Sequence, residues 1–189
     1  GETNAQGDVT NSRELVARLG AGSLAVARGR SATSFGASIG AVDVDNTLKG
    51  AVTAVLRADS VDLPGALNLS SVSADKVDTT VAAASMAVGV SQTNATGVAI
   101  ALSGAGAGAR NTLDAASSAT VVRFSDALSD ATGALTVGGA LNLTSISTGS
   151  IEANVGSGSL AVSYAGNGSA LSLAPSVGVA VASNTLKGD

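Results

Sequence analysis

Asp43, Asp45 and Asn46 place three oxygen-bearing side chains within four consecutive positions, the kind of cluster from which a Ca²⁺ site draws ligands. The surrounding segment recurs twice along the chain. There the equivalent residues are Gly108, Arg110 and Asn111, and then Val181, Ser183 and Asn184. Calcium is therefore not written into the recurring unit, and a solvated strand face accounts for the two acids better. The run Gly104-Ala105-Gly106-Ala107-Gly108-Ala109 lacks the Gly-Lys-Ser/Thr that a phosphate-cradling loop requires, so it reads as a flat strand or a subunit contact. With no His and no Cys in the chain, Ser-His and Cys-His triads, thiolate metal sites and disulfides are all excluded. A paired-carboxylate mechanism on glycosides needs only Asp and Glu, but sugar grooves use aromatic platforms. Phe35, Phe124 and Tyr164 are the only rings available. No residue is assigned a catalytic role.

The elements that position these residues are repeats. Asn46-Thr47-Leu48-Lys49-Gly50 returns unchanged as Asn184-Thr185-Leu186-Lys187-Gly188, with a weaker copy at Asn111-Thr112-Leu113. Ser23-Leu24-Ala25-Val26 matches Ser85-Met86-Ala87-Val88 and Ser159-Leu160-Ala161-Val162, at offsets of 62 and 74 residues. Gly65-Ala66-Leu67-Asn68-Leu69 matches Gly139-Ala140-Leu141-Asn142-Leu143. A period of 62–74 residues with a fixed internal order indicates an array. It divides the chain into the end of one copy (1–45), a copy at 46–110, a copy at 111–183 and the start of another at 184–189. The chain begins late in one copy and stops just after the anchor of another. It reads as a piece of a longer array, with export signal and anchoring domain elsewhere.

Apolar residues make up 45% of the chain and aromatics 2%, so the interior must be built from Val, Leu, Ile and Ala. Small and β-branched side chains suit a thin, layered core. Charge is sparse, at 13% with a net of −4, and Thr79–Ala109 and Ala153–Leu186 contain none. Scattered basic residues give no footprint for nucleic acid. Frequent Gly and the polar Gln92-Thr93-Asn94 argue against membrane helices, and the lack of aromatic girdles argues against an outer-membrane barrel. Asn68, Asn94, Asn142 and Asn167 begin Asn-X-Ser/Thr tripeptides, which a chain this rich in Ser and Asn produces by chance.

Asn11–Leu19 has helix-forming residues after a capping start, yet Leu15 aligns with Val77 and Ile151, and Leu19 with Val81 and Val155. The repeat favours a strand. A short strand follows at 23–27, a longer one with small residues at 33–44 and a third at 50–56, and Pro64-Gly65 marks a turn. In Val42-Asp43-Val44-Asp45 the alternation sends the valines inward and the acids outward. Because landmarks recur every 19–28 residues, each repeat is expected to wind about three coils. The fold class is all-β, a parallel β-solenoid. Asn46, Asn111 and Asn184 are expected at coil corners, separated by whole repeats. Leu48, Leu113 and Leu186 are expected inside, and Gly50 and Gly188 complete the anchor. An insertion near 124–132 forms an exposed loop, with Phe124 as its anchor and Asp126 and Asp130 as polar contacts.

This run of Ser-Leu-Ala-Val, Asn-Thr-Leu-Lys-Gly and Gly-Ala-Leu-Asn-Leu resembles the repeat regions of giant bacterial filamentous surface adhesins, of the filamentous-haemagglutinin-like and leukotoxin types. The resemblance implies a secreted parallel β-helix forming a stalk or fibre at the cell surface, whose partners are neighbouring copies or adjoining repeats. It transfers no catalytic residue and implies no cofactor. Two rival readings stay open: a module that binds a host or cell-surface glycan or protein through the inserted loop, and a β-helical enzyme acting on polysaccharide.

Overall fold

The computed structural model describes residues 2–3, 8–30, 33–58, 60–92, 97–123, 134–166 and 171–188. They form strands throughout: β1 (Glu2–Thr3), β2 (Asp8–Gly29), β3 (Thr33–Ala58), β4 (Val61–Leu63), β5 (Leu67–Ser91), β6 (Val98–Arg123), β7 (Leu135–Val137), β8 (Leu141–Ala165), β9 (Leu171–Leu173) and β10 (Ser176–Lys187). One sheet, A, has the order β1-β2-β5-β8; a second, B, has β10-β6-β3, with β9 also on β6; β4 and β7 make a small third sheet. All pairs are parallel except β1 with β2.

The fold is a parallel β-solenoid, and the repeat alignment is its hydrogen-bonding register. Asn46 lies beside Asn111 and Asn111 beside Asn184; Ser23, Ser85 and Ser159 form another file, and Leu67 pairs with Leu141. Each repeat therefore makes one wide coil, where three narrow ones were expected. A coil runs along sheet A, turns, returns along sheet B and crosses the short third side. Strands of 22–26 residues, far beyond the usual 5–6, are what the landmark spacing had counted as separate coils.

Asn11–Leu19 belongs to β2, since its side chains must match Ser73–Val81 on the neighbouring strand. Propensity yields to the ladder. Pro64 and Gly65 form the bend between β4 and β5, where Pro costs no ladder bond.

Between sheets A and B the interior changes along the strands. Next to the turn the sheets nearly touch: a Cβ on Gly36 would lie 2.9 Å from the Val88 carbonyl oxygen, and one on Gly40 2.6 Å from that of Ala84. Only glycine fits there. Farther along, Val44, Val81, Ala83, Ala105, Ala107 and Ala109 form one core cluster. Val77, Leu113 and Ala115 form a second, with Leu15, Leu48 and Ile151 packed on it. Leu48 and Leu113 thus point inward as the alternation predicts. Leu186 occupies the same file and faces Gly149, although it is open to solvent on the last coil.

Candidate functional site

The most organised chemistry lies inside the coil. Asn46, Asn111 and Asn184 lie within strands and point inward, not at corners as expected, because Asn46 is two residues from the buried Val44, Asn111 two from the buried Leu113, and Asn184 is the register partner of Asn111. Asn46 Nδ2 donates to Asn111 Oδ1 at 2.9 Å, and Asn111 Nδ2 donates to Asn184 Oδ1 at 2.9 Å. The side chains touch, which one coil per repeat makes unavoidable. From the facing sheet, Thr79 Oγ1 donates to Asn111 Oδ1 at 2.7 Å and lies 2.8 Å from Asn46 Nδ2. A buried amide left without partners costs on the order of 1–3 kcal/mol, so this file selects the register in which the amides meet.

A second polar file spans the narrow part of the interior. Ser23 bonds Ser38 at 2.7 Å, Ser85 bonds Ser103 at 2.6 Å, and Ser159 bonds Ser176 at 2.6 Å, one hydroxyl pair per coil between sheets A and B. The sequence shows both serines recurring. That they face each other follows only from the reversal of direction between β2 and β3, which lays β3 over β2.

One ion pair is enclosed. Arg13 Nη2 and Nε donate to the two oxygens of Asp75 at 2.7 and 3.0 Å, Nη1 donates to the Lys49 carbonyl at 2.9 Å, and Ser73 Oγ donates to Asp75 at 3.0 Å. The Asp75 side chain is fully buried. Hydrogen bonding from Arg13 holds its carboxyl below the usual carboxylate range, against the opposing effect of burial, with Ser73 assisting. Gly50 leaves the space that the Arg13 guanidinium fills. In the third coil the equivalent of Arg13 and Asp75 is Gly149, with Gly188 across from it in the place of Gly50. A shallow hollow opens there.

Two outward files set opposite charges side by side on neighbouring coils, while Asp78 beside Glu152 is a like-charge exception. Glu14 adjoins Lys76, and Lys49 adjoins Asp114, which adjoins Lys187. Lys76 Nζ lies 3.7 Å from Glu14 and 3.8 Å from Asp78. Each such exposed pair is worth little singly, but like charges in a shifted register would repel.

The calcium candidate does not assemble. Asp43 and Asp45 lie on the outer face and Asn46 points into the core, so their oxygens diverge. Asp43 is instead 3.5 Å from Arg110. Among the described residues, no group of three or more carboxylates could hold a metal ion. Gly104–Ala109 is the middle of β6, with its alanines inward and its glycines outward. Phe124, Asp126 and Asp130, with the whole 124–132 insertion, lie outside the described residues.

Comparison of the chain with family models, with curated proteins and with solved structures finds no match.

Proposed function

We propose that this chain is a structural repeat module of an extracellular bacterial fibre or adhesin stalk, in which the coil stack carries length and stiffness. The observation that supports it most is the set of in-register contacts from coil to coil: the Asn file, the Arg13–Asp75 pair and the Glu14–Lys76 pair each join one coil to the next. Inside the coil, the Asn side chains bond neighbouring coils, and the Ser pairs tie the two sheets of each coil together. Apart from β1, every strand of sheets A and B pairs its backbone with a parallel neighbour, so the stack is stabilised by continuation with coils of the same kind. A fully enclosed Asp75 with all its bonds made and a chain without Cys or His also suit a module exposed to varied surroundings.

Two measurements test this reading. Negative-stain images of purified material should show elongated particles or fibres, whereas compact, unassociated particles would contradict it. Brief protease treatment of intact source cells should release peptides of this chain; recovery only after lysis would contradict the surface location.

A further inference from the structure

The outer face of sheet A carries a pattern that the fold itself does not require. Beside the turn, Leu24, Met86 and Leu160 form one outward file across the three coils, and Val26, Val88 and Val162 form the next. Leu24 is 63% exposed and Val26 66%, a level of aliphatic exposure unusual when it is repeated in register. The two adjoining files, moving away from the turn, are all small: Gly22, Ala84 and Gly158, then Gly20, Ala82 and Gly156.

Glycine within a strand weakens it unless something approaches the backbone closely. Among the described residues, nothing does so here. A Cβ on Gly22, Gly156 or Gly158 would meet no atom within 4 Å. The approach must come from outside, and its shape is that of the adjoining ridge. Sheet B lacks this continuity, because Gly104 and Gly106 lie between Ile39 and Ala41 on one side and Val177 and Val179 on the other.

The geometry points to a second copy of this chain, lying side by side with the first, sheet A face to sheet A face, about a two-fold axis parallel to the coil stack. This deepens the fibre reading and rests on it for the presence of parallel neighbours. A two-fold placed over Ser23 sets the Leu24 file on the neighbour's Gly22 file and the Val26 file on its Gly20 file, and the same relation repeats in every coil. Both arrays then run in the same direction. The surface is aliphatic and flat, which suits a matching sheet better than a sugar, whose platforms are aromatic.

From Gly20 to Arg28, strands rising ~3.3 Å per residue and spaced ~4.8 Å apart give a patch of roughly 400 Å² per partner over three coils. A standard stable interface uses about 800 Å² per side, so pairing of this three-coil piece is weak and strengthens as coils are added. One contact opposes it. In the first coil Arg28 faces the neighbour's Arg18, although Arg28 Nη2 is turned along the stack onto Gln92 Oε1 at 2.8 Å.

Sedimentation equilibrium of the 189-residue chain, up to concentrations on the order of 1 mM, tests the pairing. Wild type should show a reversible monomer–dimer equilibrium. The double variant Gly22→Val, Gly158→Val should keep or raise its thermal midpoint while its dimer affinity falls at least about tenfold. Arg18→Glu converts the two symmetry-related like-charge contacts into opposite-charge ones and should tighten the dimer several-fold, a gain that unspecific stickiness would not give. A wild type that stays monomeric, valine variants that pair as wild type does, or an Arg18→Glu variant with unchanged affinity would each overturn the proposal. Images of the same material separate the two readings: elongated particles one array wide overturn the pairing and leave the fibre standing, whereas compact particles overturn the fibre.

Discussion

The two halves of each coil solve the packing problem in opposite ways. Near the end of β2 and the start of β3 the interior is Gly, Ala and Ser, and the large apolar side chains, Leu24, Met86, Phe35 and Ile39, stand outside. In the half around Leu113 the arrangement is conventional, with Val77, Leu48 and Ile151 inside and Glu14, Lys76, Lys49 and Asp114 outside. The difference comes from sheet separation. Where the backbones nearly touch there is no room for a Leu, so cohesion rests on hydroxyl pairs and close backbone contact. Where the sheets stand apart, aliphatic burial takes over, at about 25 cal/mol per Å². Hydrophobicity of a residue in this chain therefore does not reveal which way it faces; its parity within the strand does.

Substitutions of the same chemical kind in the two halves should consequently differ sharply. Leu113→Asp, in a fully buried position, should destabilise by more than about 4 kcal/mol in urea unfolding, whereas Leu24→Asp should change stability by less than about 0.5 kcal/mol. Comparable losses at both sites would erase the contrast. Arg13→Ala strands a buried carboxylate and should cost about 2–3 kcal/mol near neutral pH, discounted because the arginine is partly exposed. The Asp75 carboxyl titrates lower in the fold than in the unfolded chain, chiefly through Arg13. Its contribution is thus complete above the unfolded value of about 3.9 and is lost as pH falls through the folded one. In a pH series of thermal midpoints, Arg13→Ala should flatten that acid-side decline; an unchanged slope would mean that Asp75 is not held by Arg13.

Asn111→Ala removes the shared member of the amide file, leaving Thr79, Asn46 and Asn184 each short of a partner. A loss of about 2 kcal/mol is expected by urea unfolding. In the narrow half, Ser103→Ala breaks one hydroxyl pair without creating a large void and should cost about 1 kcal/mol. Smallest of all, Gly156→Val on the outer face should be neutral or raise stability by up to about 0.5 kcal/mol, because its Cβ stands in open space. A strong destabilisation there would mean that the sheet A face is already covered within the molecule.

Much of this architecture is legible in the residues. The alignment of Asn46 with Asn111 and Asn184, and of Leu15 with Val77 and Ile151, is the strand register itself. The alternation in Val42-Asp43-Val44-Asp45 orients β3 correctly along its length. What the sequence hides is coil width. Nothing within Thr33–Ala58 marks a turn, but nothing in ordinary strand lengths prepares for 26 unbroken residues either, so the landmark interval reads as a coil and not as a strand. The same misreading placed Asn46 at a corner. Partners across the interior, such as Ser23 with Ser38 or Arg13 with Asp75, were also out of reach, because they depend on where a strand reverses and on which neighbour leaves space. Gly50 and Gly149 acquire meaning only once Arg13 is seen to occupy that file.

Whether one repeat is one coil can be tested directly, since the chain contains no native Cys. Thr47 and Thr112 are register partners on neighbouring parallel strands, about 4.8 Å apart at Cα, within reach of a disulfide. Thr47→Cys with Thr112→Cys should close an intramolecular disulfide nearly completely under mild oxidation, and Thr47→Cys with Asp114→Cys, two residues out of register, should not. Failure of the first pair to cross-link in the folded monomer would contradict the one-coil repeat, because three coils per repeat would hold the two positions roughly 14 Å apart.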